Sequence, residues 1–301
     1  MPSSWSLLNP LAWLETAVSG VLVAAHALLA ALGLDPASGA AWVGAVVVLV
    51  VAVRLALLPL VLRQVRASHR LARVAPQLRA LQRRYSRSTG PGGRQQLTRD
   101  PAELTRWRAE QKALHAEAGA SPLSFLPVLL QVPVMIALAR VLDGAARGHA
   151  VGLLTPLLAA QAGAATVAGA PLSGSLLAGF DGGAGALVAV ALVVVVAGAT
   201  WLTTHLQLTR GTAPEVLEGP VGQAQRMTVW VVPLVMAATS AAVPLGLLVY
   251  WASSAVWSLG QGVALLRWLP TPGTPAAAAR ERRIVGRRRP VEHAEVGSKA
   301  S

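Results

Sequence analysis

Long apolar runs alternate with polar segments along this chain. Five runs are apolar over lengths suited to crossing a bilayer. The stretch from 227 to 267 is too long for one crossing and contains Pro244 and Gly246, so the pattern predicts two helices joined by a tight turn. The five predicted spans are 41–62, 121–142, 184–207, 227–243 and 244–267.

The first 40 residues contain a further apolar segment, at 9–34, which carries Glu15 and His26. This segment either crosses the membrane or lies along one face as an interfacial helix. No cation precedes its first apolar run, so we do not expect a cleaved signal peptide.

Residues 63–120 change in character and predict a helical hairpin. Apolar residues recur there at spacings of three and four, which indicates two amphipathic helices with narrow apolar seams. A glycine-rich turn at 86–100 separates them, and Asp100-Pro101-Ala102-Glu103 is typical of a helix start. Two independent solvated connectors are the alternative. The seam positions are Leu71, Val74, Leu78, Leu81 and Tyr85, then Leu104, Trp107, Gln111, Leu114 and Ala118.

The charge distribution predicts the orientation. The chain has 26 Lys+Arg against 13 Asp+Glu and is 54% hydrophobic, with a mean hydropathy of +0.54. Basic residues concentrate in 63–120, in the loop 208–226 and in the tail 268–301, and five spans place all three on one side. That side is the cytoplasm by the positive-inside rule. Residues 1–40 and 143–183, and with them the N-terminus, are then outside, and the polar basic tail is expected to be disordered.

Several kinds of chemistry are missing from the sequence. There is no cysteine, no phosphate-binding glycine loop followed by lysine, and no metalloprotease motif. The five spans contain no acidic residue, which argues against a proton- or cation-coupled transporter. We therefore expect no enzyme activity, no cofactor and no metal site.

Arg54 interrupts the run VVVLVVAVRLALLPLV at 46–61. It lies eight residues before Leu62, or about 12 Å from the cytoplasmic end of the span. A charge at a helix centre costs at least about 2.5–3.5 kcal/mol. Either the side chain reaches the surface with local thinning of the bilayer, or it faces a water-containing cavity open to the cytoplasm, where it would attract acidic groups from another molecule.

Three stretches carry recognisable motifs: VRLALLPLVLRQVRASHRLARVAPQLRALQRRY at 53–85, LHAEAGASPLSFLPVLLQVPVMIAL at 114–138 and VPLGLLVYWASSAVWSLGQ at 243–261. In these motifs the chain resembles the YidC-type membrane protein insertases of the YidC/Oxa superfamily. GAPLSGSLL at 169–177 is similar to the actinobacterial branch. The chain departs from the family pattern at Ala255, where many members carry Asn.

The resemblance implies an all-α polytopic membrane protein of the bacterial plasma membrane. Its five-helix core would surround a hydrophilic, positively charged groove, with 9–34 as an outer interfacial helix and the hairpin in the cytoplasm. Such a protein inserts and helps fold nascent membrane proteins, alone or with the Sec translocon. The ribosome, the targeting machinery and anionic lipids are further expected partners. The candidate groove residues are Arg54, Gln131, Trp251, Ser254 and Gln261, and the candidate recruitment residues of the hairpin are Arg73, Arg79, Arg83, Arg84 and Trp107.

Two other classes of protein are open alternatives. A solute channel or transporter would need a polar lining across the whole membrane or an inverted repeat, and the sequence shows no internal repeat. A scaffold subunit of a larger membrane complex is the second alternative.

Overall fold

The computed structural model describes residues 10–88, 95–98, 100–117, 119, 126–180, 183–218 and 220–298, without side chains at a few of these positions. Helices dominate this part of the chain. The first part contains α1 (Pro10–Ala31), α2 (Gly39–Arg84), β1 (Ser86–Ser88), β2 (Gln95–Leu97), α3 (Pro101–Glu117) and α4 (Leu126–Ala146). The second part contains α5 (Pro156–Ala164), β3 (Thr166–Val167), β4 (Ala170–Pro171), α6 (Gly183–Arg210), a 3-10 turn (Pro214–Leu217), α7 (Pro220–Ser240), α8 (Leu245–Trp268) and α9 (Pro275–Ser298).

Three of the described helices, α1, α2 and α6, are long and apolar enough to span a membrane by length and composition. Helices α4, α7 and α8 have 21, 21 and 24 residues and lie at the other three predicted spans. α7 begins at Pro220, earlier than the predicted start at 227. The apolar helices make this a membrane-embedded protein, and the number of crossings stays a prediction.

The chain divides into two compact units. The core unit comprises Met1–Leu58 and Val128–Leu265, and the hairpin unit comprises Pro59–Pro127 and Leu266–Ser301. The predicted boundary between residues 62 and 63 is not a helix break, since it lies within α2, which is 46 residues long.

Small side chains allow close packing inside the core unit. Ala41, Ala45, Ala137 and Ala159 are all fully buried. Alanine at helix contacts lets backbones approach closely, which favours helix association where no hydrophobic force acts between helices in lipid. Leucines fill the remaining interior: Leu22, Leu49, Leu138, Leu154, Leu245 and Leu248.

One face of α1 is packed in the core unit. The Oγ atom of Ser19, which is fully buried, accepts a hydrogen bond of 2.8 Å from the backbone N–H of Leu153. His26 is also buried, stacks on Trp42 with ring centroids 4.1 Å apart, and donates from Nε2 to the carbonyl of Pro36. The opposite face exposes large apolar residues, among them Trp13 and Leu28.

Helices α2 and α3 are paired antiparallel in the hairpin unit. The Tyr85 hydroxyl donates a 2.7 Å hydrogen bond to Glu110, while Gly119, just beyond the end of α3, lies beside the Arg70 side chain. The predicted N-cap Asp100 accepts a hydrogen bond from the N–H of Ala102. Within the predicted turn region, β1 pairs antiparallel with β2.

The tail differs from the disordered segment that its composition predicts, because α9 occupies Pro275–Ser298. The Oγ atom of Thr274 accepts from the N–H of Ala277 and Pro275 is the first helical residue, a favourable helix start. Residues 276–279 are all alanine, the residue type with the highest helix propensity. The prediction of disorder followed the polar, basic composition of the tail and did not take this local helix propensity into account.

Candidate functional site

Arg54 is half-buried on α2 and is held by α8. Its Nη2 atom donates a hydrogen bond of 2.5 Å to the Oγ atom of Ser254 and lies 3.5 Å from the Ser254 carbonyl oxygen. In the part of the chain that the structure describes, no carboxylate pairs with this guanidinium. The charge is therefore solvated by neutral oxygens, which leaves it able to attract an anion.

Tyr250 lies one turn before Ser254 on α8 and is 4% exposed. Its phenol interacts with both Arg54 and Ser254. Arg54, Ser254 and Tyr250 thus form a small polar cluster between α2 and α8, and among the described residues the side chains around the positive charge carry hydroxyl groups.

A cavity of about 310 Å³ adjoins this cluster. One wall is a single face of α8, formed by Tyr250, Trp251, Ser254, Ala255 and Ser258. These residues recur at intervals of three or four positions, which places them on one side of the helix.

The facing wall of the cavity comes from α6. It is formed by Val196, Thr200, Thr203 and Thr204, and Met236 of α7 closes it. Trp201 of α6 and Trp230 of α7 are in ring contact, with centroids 5.9 Å apart. Three helices therefore shape the cavity, and Ser254 belongs both to its wall and to the arginine cluster.

The structure brings together three of the five candidate groove residues. Trp251 and Ser254 line the cavity and Arg54 contacts Ser254. Gln261 does not line the cavity. Its amide oxygen accepts a 2.9 Å hydrogen bond from Nε1 of Trp257. Gln131 lies in α4, but its side chain is outside the described part of the structure.

Sequence reasoning missed Tyr250, Ser258 and the threonines of α6 as site residues. Their spacing carried a usable signal. Tyr250, Ser254 and Ser258 are each four residues apart, and Thr200, Thr203 and Thr204 share one helical face. Polar residues repeating on one side of an apolar helix indicate that this side faces protein or water rather than lipid.

Arg140, a second arginine within the predicted spans, was also not considered from the sequence as a charged group inside the membrane. Arg140 of α4 forms an ion pair of 3.0 Å with Glu15 of α1. Its charge is neutralised inside the core unit, in contrast to that of Arg54.

The candidate recruitment residues differ in availability. Arg73 and Arg83 are exposed, whereas Arg79 donates to the carbonyl of Ala75. Trp107 is half-buried on α3.

The last of these residues, Arg84, is tied to α3. It pairs with Glu110 at 3.4 Å, and Glu110 also accepts the hydrogen bond from Tyr85. That hydrogen bond raises the pKa of Tyr85 above its usual range. Arg84 therefore stabilises the hairpin as well as contributing to its surface charge.

A helical membrane protein with an arginine cluster beside a cavity is consistent with a membrane insertase, and comparison with known proteins identifies the family. The sequence model of the family described as "60Kd inner membrane protein" matches residues 33–271. The chain belongs to this family, the YidC/Oxa family. It is not a classical enzyme family.

Curated relatives agree with this assignment. A protein of Streptomyces avermitilis is 32% identical over 271 residues, covering 87% of this chain and 59% of the relative. A protein of Tropheryma whipplei strain Twist is 29% identical over 93% of this chain and 89% of the relative, and one of Bifidobacterium longum is 25% identical over 93% and 81%. Each is named membrane protein insertase YidC. The chain thus spans about three fifths of the Streptomyces protein and most of the other two.

Proposed function

We propose that this chain inserts nascent membrane proteins into the bacterial plasma membrane without nucleotide hydrolysis, and that Arg54 is the fixed charge of its substrate groove. The observation that supports this most directly is the setting of Arg54. Its guanidinium lies within an apolar helix and is solvated by the hydroxyl and carbonyl of Ser254, with no carboxylate partner among the described residues. Such a charge is costly unless a ligand uses it.

In the proposed mechanism, the acidic counter-charge arrives with the substrate. A short polar tail that must cross to the outside enters the groove, where its carboxylate is attracted to Arg54. The attraction is stronger than in water because the surroundings have a low dielectric constant. Partition of the adjoining apolar segment into lipid then supplies the driving force.

The proposed orientation places the hairpin unit and the C-terminus in the cytoplasm and the N-terminus outside, following the positive-inside rule. The hairpin would then meet substrates and their targeting machinery first. Arg73 and Arg83, which are exposed, are better suited to this recruitment than Arg84, which is paired with Glu110. The Sec translocon, the ribosome and anionic lipids remain proposed partners.

Reconstitution in liposomes tests the proposal. The purified protein is compared with Arg54→Lys and Arg54→Ala for insertion of single-spanning substrates whose outward-going tails carry either one aspartate or none. Lys should retain much of the activity on the acidic tail because it keeps the charge, whereas Ala should lose it. Equal activity of all three proteins would reject the role of Arg54, and no insertion by the wild-type protein would favour a scaffold function.

Ribosome binding needs its own test. Co-sedimentation of ribosomes with the wild-type protein is measured across salt concentrations and compared with a variant in which exposed Arg280, Arg282 and Arg283 are replaced by Gln. Contact with RNA phosphates predicts weaker binding and a smaller salt dependence in the variant. Unchanged binding would leave the tail as an element near anionic lipid.

A further inference from the structure

The cavity between α6 and α8 is lined mostly by carbon, although six of its ten lining residues are hydroxyl-bearing. Three of these hydroxyls turn back to their own helix. Thr203 donates to the carbonyl of Ala199 at 2.7 Å, Thr204 to that of Thr200 at 3.0 Å, and Ser258 to that of Ser254 at 2.8 Å. Their hydrogens are thereby committed to backbone oxygens, and the carbon atoms of these side chains contribute to the wall.

The other residues of the wall add to its apolar surface. Val196, Met236 and Ala255 add aliphatic surface, and Trp251 adds an aromatic side chain. A cavity with this lining favours an apolar occupant, because a polar group that entered it would lose hydrogen bonds to water without replacing them.

The cavity holds about 310 Å³. A single large side chain, or one side of an extended segment, fits this volume.

The cavity is also continuous with the charge. Ser254 lines the cavity and accepts the hydrogen bond from Arg54, and Tyr250 borders both. In an extended segment, side chains two residues apart point to the same side at a distance of roughly 6.6 Å. One short extended peptide can therefore present a carboxylate to Arg54 and an apolar side chain to the cavity.

We propose that this cavity is a specificity pocket for an apolar side chain that lies two residues from the acidic residue in the outward-going tail of a substrate. The inference rests on the proposed function of Arg54 and adds a substrate class to it. The preferred tail carries an acidic residue with leucine, methionine or phenylalanine two residues from it. A tail with an acidic residue among small polar residues uses the charge alone.

The test fills the cavity with a larger side chain and varies the sequence of the substrate tail. Liposomes containing the wild-type protein, Ala255→Phe or Val263→Phe receive substrates with one aspartate and either leucine or serine two residues from it. Val263 is 45% exposed on the same helix and outside the lining, so it provides a matched control.

For the wild type, the leucine tail should insert about tenfold better, the effect of burying one leucine side chain. Ala255→Phe should remove this difference, and Val263→Phe should retain it. Equal insertion of both tails by the wild type would overturn the proposal. So would an equal loss for both tails in Ala255→Phe, which an acyl chain in the cavity predicts.

A cross-linking experiment covers the case in which Ala255→Phe does not fold. The chain contains no cysteine, so an engineered cysteine is unique. Ala255→Cys should form a disulfide with a substrate cysteine placed at the leucine position of a stalled insertion intermediate, and Val263→Cys should not. Absence of the Ala255→Cys product would overturn the proposal.

The leucine and serine tails are also tested without aspartate, so that the role of Arg54 and the role of the pocket are measured separately. If Arg54→Ala has no effect on acidic tails but the leucine preference persists, only the role of Arg54 fails. If Arg54→Ala impairs acidic tails but leucine has no effect, only the pocket fails.

Discussion

The Nη1 atom of Arg140 in α4 lies 3.0 Å from the Oε1 atom of Glu15 in α1. Arg54 has no equivalent partner among the described residues and rests on the hydroxyl and carbonyl of Ser254. Arg140 and Arg54 therefore differ: the charge of Arg140 is paired with a carboxylate that links α4 to α1, and the charge of Arg54 is solvated by neutral oxygens.

The Arg140–Glu15 pair should contribute to stability but not to substrate preference. Arg140 is largely exposed and Glu15 is mostly covered, so we expect a coupling of about 0.5–1 kcal/mol, near the upper end for exposed pairs. A double-mutant cycle with Glu15→Gln and Arg140→Gln, followed by thermal unfolding in detergent, measures it. The pair between Arg147 and Asp143, both more exposed, provides the comparison and should show less. A change in the preference for acidic tails would contradict the structural role.

Ser254 should position the Arg54 guanidinium. Ser254→Ala removes the hydroxyl that accepts the 2.5 Å hydrogen bond, so the side chain loses its orientation while keeping its charge. We expect a reduced ratio of insertion between acidic and neutral tails, and Ser254→Thr should restore the ratio because it returns the hydroxyl.

Ser253→Ala is the matched control for this prediction. The Ser253 hydroxyl donates to the carbonyl of Val249 on its own helix and does not line the cavity. If Ser253→Ala and Ser254→Ala change the ratio equally, a general effect on α8 explains both, and Ser254 has no special relation to Arg54.

The local pattern of the sequence predicted the hairpin, and long-range contacts explain what it did not predict. The three-and-four spacing at Leu71, Val74 and Leu78 identified α2 as amphipathic, because helix periodicity appears directly in the order of residues. The contact between Arg54 and Ser254 joins residues 200 positions apart, and no local pattern carries that information. Family resemblance selected Trp251 and Ser254 as groove residues, but it could not show that Gln261 is engaged by Trp257.

Tyr85 should titrate above its ordinary pKa of about 10, since the hydrogen bond to Glu110 requires the protonated phenol. This contribution to the hairpin is present below the ordinary pKa and is lost as the pH rises through the raised value. The chain has two tyrosines, so the absorbance of tyrosinate in a Tyr250→Phe protein reports on Tyr85 alone. Adding Glu110→Gln should lower the titration midpoint, and an unchanged midpoint would exclude the hydrogen bond in solution.

Gly152 should be one of the positions least tolerant of alanine in the core unit. Its φ is +59°, a left-handed conformation that costs a residue with a Cβ atom about 1–2 kcal/mol. An added Cβ would also collide with the Oγ atom of Ser19 and lie 2.9 Å from the carbonyl oxygen of Glu15, where α1 packs against this segment. Gly148 has a φ of +72° but open space around it, so Gly148→Ala reports the backbone strain alone.

The difference in thermal stability between these two variants therefore measures how tightly α1 is docked. We expect Gly152→Ala to lower the unfolding temperature clearly more than Gly148→Ala, because the colliding atoms include backbone of α1 that cannot rotate away. Increased hydrogen exchange in α1 should accompany the loss, since the Ser19–Leu153 hydrogen bond lies at the same contact. Equal effects of the two substitutions would mean that α1 is not packed against residues 151–154 in the membrane.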